Sequence, residues 1–368
     1  MRNVSPLPAP INATIMVWMA TEALAPASAH SDDFEEIHVR RGPRSGVPMV
    51  VAVHRTFRGR SLGGCRLWTY ADFEAAVLDA ERLSRAMTLK AAAADLPLGG
   101  GKAVIALAPG ESLEGERRRA ALHDFAELVD GLDGRYVTAE DVGVGEQDMA
   151  IVARHTRHVV GRPVEQGGSG DPSPYTALGV ELAIRAALGD DDLRGRAVTV
   201  ADLGHVGASL AERLARAGAR LTVTDINPAR RAVAAALGAA WVAPDEAIAV
   251  PGDVFAPCAL GGVLDDDAAE RLDVTVVAGA ANNQLAHHGV AAGLHERGIL
   301  WAPDFIANAG GLINVAAELE GYDRERVLRG VHAIAETLRA VFARARAHDT
   351  TTLAAAEALV AERLAARH

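Results

Sequence analysis

From residue 197 onward the chain alternates short, β-branched apolar runs with amphipathic segments, and that rhythm leaves few folds open. Ala-Val-Thr-Val-Ala at 197–201 has the length and side chains of a strand buried on both faces. Residues 208–218 read as a helix, and Leu-Thr-Val-Thr-Asp at 221–225 as the next strand. Asn227 and Pro228 supply an N-cap and a first-turn proline for a further helix, which Gly238 closes. Strands near 241–242, 252–257, 274–278 and 299–301 continue the pattern. Such alternation predicts an α/β fold with a doubly wound parallel sheet of the Rossmann type. Residues 323–368, rich in Ala, Leu and Arg, predict C-terminal helices interrupted near His-Asp-Thr-Thr-Thr at 348–352.

The first half is of another kind, mixed α/β. Residues 47–56 predict a strand, and 71–94 a helix capped by Asp72 with Val77, Leu78, Leu83 and Met87 on its apolar face. Pro97 then breaks the chain, Gly99–Gly101 are expected to turn it, and a strand resumes at Lys102. A strand over 135–141 delivers Asp141 at its C-terminal end, where ligands of open α/β sheets gather. Residues 166–180, rich in Gly, Ser and Pro, read as a linker. The expected division is therefore a tail at 1–30, a mixed α/β substrate domain at 31–165, a dinucleotide-binding domain at 166–320, and helices at 321–368 that pack back on the domain interface. An apolar run near the N-terminus is broken by Glu22 and reads as disordered tail rather than signal peptide, with Met16 or Met19 as alternative starts.

Composition narrows the partners. A net charge of −11 argues against nucleic acid and anionic membranes, and no apolar run approaches the roughly 20 residues that span a bilayer. Cys65 and Cys258 are far apart and lack CxxC spacing, so neither a disulfide framework nor a structural zinc site is expected, and a reducing cytoplasm is the default. The pairs His155/His158 and His287/His288 read as surface histidines rather than metal ligands, and Asp265–Asp267 as a solvated loop.

Two residues stand out against this background. Lys90 and Lys102 are the only lysines; the other 35 of the 37 basic side chains are arginine. Both lie in Ala-Met-Thr-Leu-Lys-Ala-Ala-Ala-Ala-Asp-Leu-Pro-Leu-Gly-Gly-Gly-Lys, on either side of the glycine run. Arginine does not lose its proton in a protein, whereas lysine is a compact charge that titrates on burial. Two lysines kept here point to a site that needs an anchor and an acid–base group. A phosphate-loop reading fails, because no Ser or Thr follows Lys102 and the earlier glycine is missing.

A second constellation lies at Ala-Asp-Leu-Gly-His-Val-Gly, residues 201–207. Between strand and helix it has the form of the dinucleotide fingerprint, with Gly204, His205, Val206 and Gly207 in place but Asp202 at the first glycine. Asp225 ends the next strand, where an acid accepts the ribose hydroxyls and repels the extra phosphate of NADP, so NAD is the expected cofactor. Asp202 places a second negative charge close to a bound pyrophosphate.

Further stretches converge: Ser-Leu-Gly-Gly-Cys-Arg-Leu-Trp-Thr-Tyr (61–70), Tyr-Val-Thr-Ala-Glu-Asp-Val-Gly (136–143), Ala-Pro-Cys-Ala-Leu-Gly-Gly-Val-Leu (256–264), Ala-Gly-Ala-Ala-Asn-Asn-Gln-Leu-Ala (278–286) and Ala-Pro-Asp-Phe-Ile-Ala-Asn-Ala-Gly-Gly (302–311). In order, over about residues 47–320, they resemble the leucine/phenylalanine/valine dehydrogenases, NAD-dependent amino acid dehydrogenases of the glutamate dehydrogenase superfamily. The resemblance implies that Lys90 holds the substrate carboxylate, Lys102 activates water and stabilises the oxyanion, and Asp141 exchanges protons with the amino group. It implies that Gly63 and Gly64 form a backbone turn beside the substrate, that Asn283 binds carboxylate and nicotinamide, and that Thr176, Cys258 and Ala259 lie on the cofactor side. Leu62 stands where glutamate enzymes of the superfamily place a lysine, and with Ala139, Leu312 and Val315 it makes the side-chain slot apolar. The expected activity is reversible oxidative deamination of leucine, valine or isoleucine to the 2-oxo acid and ammonia by a homo-oligomer. Two alternatives stay open: a phenylalanine or tryptophan dehydrogenase, and a non-catalytic nucleotide- or amino-acid-binding descendant weakened at Asp202.

Overall fold

The computed structural model describes residues 33–367; the expected tail at 1–30 lies outside them. The first half comprises β1 (Glu36–Arg41), β2 (Pro48–Arg55), β3 (Ser61–Thr69), α1 (Phe73–Ala93), β4 (Gly99–Leu107), α2 (Gly115–Asp130), β5 (Tyr136–Ala139) and α3 (Glu146–Val152). The strands form one mixed sheet in the order β1-β2-β4-β3-β5. β2 is antiparallel to β1 and β4, and β3 is parallel to β4 and β5. One face buries Met49, Val51, Cys65, Ala103 and Ile105 against Phe125 of α2 and Met149 of α3. α1 covers the other face, setting Ala76 and Ala80 on Val50, Ala52 and Val104.

Asp72 caps α1 as expected, accepting from the Ala75 N–H at 2.8 Å. Leu78 does not join the apolar face: it is exposed, and the small Ala76 and Ala80 let the helix lie close to the sheet. The glycine expectations need correction. Gly99–Gly101 open β4 instead of turning the chain, and Gly63 and Gly64 lie inside β3. None of the five has a positive φ. Gly63 and Gly99 are glycines because backbones meet: a Cβ on Gly63 would stand 1.7 Å from the Gly101 oxygen, and one on Gly99 1.8 Å from the Arg55 oxygen; one on Gly101 would stand 2.5 Å from the Tyr136 ring. The strand expected to reach 141 ends at Ala139, leaving Asp141 in a loop bridged to Val144. Gly63→Ala is therefore expected to lower the thermal unfolding midpoint by at least about 4 °C, because a backbone collision cannot be relieved by a rotamer change. Scanning calorimetry checks this, and an unmoved midpoint refutes the close-packing account.

The second half contains α4 (Ser173–Leu188), β6 (Ala197–Ala201), α5 (His205–Arg216), β7 (Arg220–Thr224), α6 (Arg231–Leu237), β8 (Ala240–Trp241), β9 (Val254–Pro257), α7 (Asp266–Arg271), β10 (Val276–Val277), α8 (Gly289–Glu296), β11 (Leu300–Trp301), α9 (Asp304–Ala307), α10 (Gly310–Ala316), α11 (Arg324–His348) and α12 (Thr352–Ala365). Its sheet runs β11-β10-β9-β6-β7-β8, every pair parallel. The chain reverses direction across the sheet between β6 and β9, so a crevice opens beyond the ends of these two strands. Val198, Val200, Leu210 and Leu214 of this sheet and α5 share a core with Val180 and Ile184 of α4 and Val331 and Ile334 of α11.

Two more expectations change here. The linker at 166–180 is helical from Ser173, so Thr176 sits in the first turn of α4. Asp265 is no bystander in a solvated loop; its carboxylate caps α7, accepting from the Ala268 N–H at 2.8 Å. The C-terminal helices reach back to the first half: Arg363 of α12 donates to the Ala92 and Ala93 carbonyls at the end of α1. Among the described residues, no helix is long and apolar enough to cross a membrane.

Candidate active site

The parallel run of β3, β4 and β5 sets Lys102, the glycines and Asp141 side by side. Gly64 is registered opposite Ala139, and a Cβ on Gly64 would stand 2.8 Å from the Asp141 Cβ. Bare backbone at 63–64 thus lets the loop after β5 fold over the sheet. Lys102 is buried in β4, and its Nζ donates to Asp141 Oδ2 at 2.6 Å. The same oxygen accepts from Arg66 Nε at 3.2 Å. Burial pushes the Asp141 carboxyl upward, but Lys102 and then Arg66 outweigh it and hold the group at about 2.

Lys90 projects from the last turn of α1. Its Nζ donates to Asn282 Oδ1 at 2.7 Å, and the Asn308 Nδ2 donates to that same oxygen at 2.9 Å. Asn283, the residue expected here, takes φ +52° instead, and its carbonyl accepts from Gly262 N. The positive φ turns the backbone, so it is the neighbouring Asn282 that faces Lys90. Desolvation lowers Lys90 to about 8, opposed by Asp304 and assisted by Lys102. Asp304, buried beneath, accepts from Gln284 N at 2.7 Å. Sequence reasoning missed Arg66, Asn282, Asn308 and Asp304. A signal existed for two of them, since Asn282 adjoins Asn283 and Arg66 lies two residues after the glycine pair.

Leu62, Ala139, Leu312 and Val315, drawn from β3, β5 and α10, form one buried cluster with Ala91, Leu98, Val137 and Val160. The cluster is continuous with the polar groups through the chain itself: Ala91 follows Lys90, Leu62 precedes Gly63, and Ala139 stands two residues before Asp141. A slot of this composition accepts an aliphatic chain and offers no charge to a second carboxylate.

The crevice of the parallel sheet carries the other expected residues. Gly204 precedes α5, and His205 and Val206 occupy its first turn, where N–H groups have no partner within the helix. Gly207 packs on the turn: a Cβ there would stand 2.0 Å from the Asp202 oxygen and 3.3 Å from the Cys258 Cβ. Asp225 is buried beyond β7, one oxygen accepting from Leu203 N at 2.9 Å and the other from Asn227 N at 2.6 Å. Asp202 takes φ +93°, and its Oδ2 accepts from Gly204 N at 2.8 Å. Thr176 packs against Gly311, a Cβ on which would stand 2.7 Å from the Thr176 Oγ1. Ala259 is exposed just beyond Cys258, at the end of β9. The buried Asn308 Oδ1 has no hydrogen-bond partner among the described residues, so a polar acceptor waits beside Lys90 for a donor. A helix N-terminus for phosphates, a carboxylate for ribose and an orphaned amide oxygen near the lysines fit a nicotinamide dinucleotide.

Known proteins bear on the same segments. Residues 36–158 match the family model "Glu/Leu/Phe/Val dehydrogenase, dimerisation domain", and residues 222–368 match "Glutamate/Leucine/Phenylalanine/Valine dehydrogenase". The chain is 44% identical to the leucine dehydrogenase of Thermoactinomyces intermedius over 90% of this chain and 91% of the relative. It is 45% identical to the valine dehydrogenase of Streptomyces virginiae over 91% of this chain and 95% of the relative. Among solved structures, the L-tryptophan dehydrogenase of Nostoc punctiforme superposes with a TM-score of 0.77 at 37% identity, over 91% of this chain and 97% of that one.

Proposed function

The chain belongs to the Glu/Leu/Phe/Val dehydrogenase family, and from that premise we propose that it oxidatively deaminates a branched aliphatic L-amino acid with NAD as hydride acceptor. It is an amino acid dehydrogenase that uses a nicotinamide cofactor. The single observation that carries the finer reading is the Lys102–Asp141 pair, 2.6 Å apart, at the mouth of a slot walled by Leu62, Ala139, Leu312 and Val315.

Gly204–Gly207 and Asp225 would hold the dinucleotide, which when bound would supply the acceptor for hydride from the substrate Cα. The rest is the work of this chain. Lys90 anchors the α-carboxylate, whose arriving charge raises the lysine's affinity for its own proton. Asn282, itself held by Asn308, fixes the Lys90 ammonium. Asp141 takes a proton from the substrate ammonium, so that the nitrogen lone pair can assist departure of hydride. Lys102 removes a proton from the water that attacks the resulting iminium carbon and stabilises the oxygen charge that develops. Asp141 then returns a proton to nitrogen, the added hydroxyl loses its proton to solvent as the carbonyl forms, and ammonia leaves. Residues 31–165 thus supply Lys90, Lys102 and Asp141 to the substrate, and 166–320 supply the cofactor cradle together with Leu312 and Val315 of the slot. The working form is a closed homo-oligomer, a reading supported by the dimerisation-domain match and by the outer edge of β1, which pairs with no strand among the described residues.

Leucine, isoleucine and valine are expected to react within about 200-fold of one another, since a methylene is worth about 1–3 kcal/mol. Glutamate should be inert, and NAD should exceed NADP because Asp225 repels a 2′-phosphate. The test is reduced-cofactor absorbance with purified protein, NAD or NADP, and a panel of L-amino acids at alkaline pH. Turnover with none of them favours a binding protein. A preference for tryptophan or phenylalanine moves the reading to the aromatic branch, to which the Nostoc punctiforme relative points.

A further inference from the structure

The Asp141 carboxylate is held by two cations of different character. Lys102 and Arg66 share its Oδ2, at 2.6 and 3.2 Å. Arg66 is itself fixed from behind: its Nη1 donates to Asp79 Oδ2 at 2.9 Å. Asp79 in turn accepts from Tyr70 Oη at 2.7 Å and from Arg82 Nη2 at 2.8 Å. A continuous polar chain therefore runs from α1 through Arg66 of β3 to Asp141, and on to Lys102 of β4. Arg66 and Asp79 are largely shielded, their side chains 22% and 14% exposed. Such pairs hold their geometry better than solvated ones.

The division matters because a lysine that gives up its proton during turnover cannot also be a constant counter-charge. An arginine can. We propose that Arg66 is a positioning residue: it aims Asp141 at Lys102 and favours return of the carboxyl to its ionised form after each proton exchange, with Asp79 as its own anchor. This rests on the reading of Asp141 as the proton-exchanging group. The groups facing Asp141 are Lys102 from β4, Arg66 and Cys65 from β3, Lys90 from α1, Tyr136 from β5 and Glu140 on its own loop. Of these, Arg66 alone carries a charge that does not titrate.

Removing a fixed positive charge raises the pKa of every titratable neighbour, so the acid limb of the rate profile moves upward whichever group sets it. The experiment compares Arg66→Met, Arg66→Lys, Asp79→Asn and Asp141→Asn with the parent protein, using the best substrate of the panel. It reads kcat and kcat/KM against pH, together with NAD affinity and the thermal midpoint. Arg66→Met is expected to lower kcat at least about tenfold, to leave NAD affinity unchanged, and to raise the acid limb by about one pH unit or more. Arg66→Lys should restore most of the limb; Asp79→Asn, which removes a negative charge and leaves the Arg66 charge in place, should not raise the limb but should lower kcat by freeing Arg66 to move. If Arg66→Met does not fold, the same limb is read in Arg66→Gln, which also removes the charge, and must move up relative to both the parent and Arg66→Lys. A limb that stays in place in every folded variant overturns the inference, provided Asp141→Asn is inactive. An Asp141→Asn enzyme that keeps more than a tenth of the parent rate overturns the underlying reading, and this inference with it.

Discussion

Lys102→Arg is expected to fold, to bind NAD, and to lose at least about a hundredfold in kcat, the lower end of what a positioned acid–base group contributes. The charge is conserved, so the ion pair with Asp141 has a cation to form with, and nothing in the β4 ladder depends on the side chain. What disappears is the ability to release a proton, which arginine lacks at any working pH. A second loss is steric. Lys102 is 5% exposed, and the larger planar head must find room beside Gly63 and Gly64. Overpacking of this kind costs about 1–3 kcal/mol, which a fold of this size tolerates and a thermal midpoint reveals. Steady-state rates across pH 7–11, with NAD affinity by calorimetry as the check on folding, decide the matter. A variant that keeps more than about a tenth of the parent rate removes Lys102 from the chemistry.

The parallel half of the fold was legible because its signals are local. Val198 to Val200, Asn227-Pro228 and Gly238 each announce one element, and each stands where those signals put it. The glycines of the first half were legible as important but not in kind. Glycine marks both positive φ and the place where two backbones touch, and only the folded neighbours separate the two. Gly63 and Gly99 belong to the second class, as the collision of a Cβ with the backbone oxygen of a facing strand shows. The roles assigned to Lys90, Lys102 and Asp141 came from chemistry plus resemblance, and the structure brings Lys102 to Asp141 and sets Lys90 against Asn282. Arg66 was marked only by its place two residues after Gly64, and among 35 arginines its role shows only once its distance to Asp141 is known. The same holds for Asn282 over Asn283: identical neighbours are distinguished by the backbone turn at φ +52°, a property of the fold rather than of residue type.

Asp202→Gly is expected to tighten NAD binding by at least about tenfold, through two separable causes. The first is charge. A carboxylate about 8 Å from a pyrophosphate charge, at an effective dielectric of about 20, opposes binding by roughly 2 kcal/mol. The second is occupancy: Asp202 Oδ2 accepts from Gly204 N, a backbone donor at the start of α5 that an incoming phosphate would use. Burial and the nearby Asp225 push the Asp202 carboxyl above its ordinary value. Protonation on acidification therefore removes the opposing charge, and NAD affinity of the parent protein should rise as pH falls through that range. Asp202→Asn separates the causes, since it abolishes the charge and the pH response while retaining an oxygen that can accept from Gly204. The backbone favours the glycine variant further, because φ +93° is strained for aspartate and free for glycine. Calorimetric titration of the three proteins with NAD from pH 5 to 8 reads both terms. Equal affinities in all three would mean that the Asp202 carboxylate turns away from the bound cofactor, and that the cradle is no weaker for having an acid where glycine was expected.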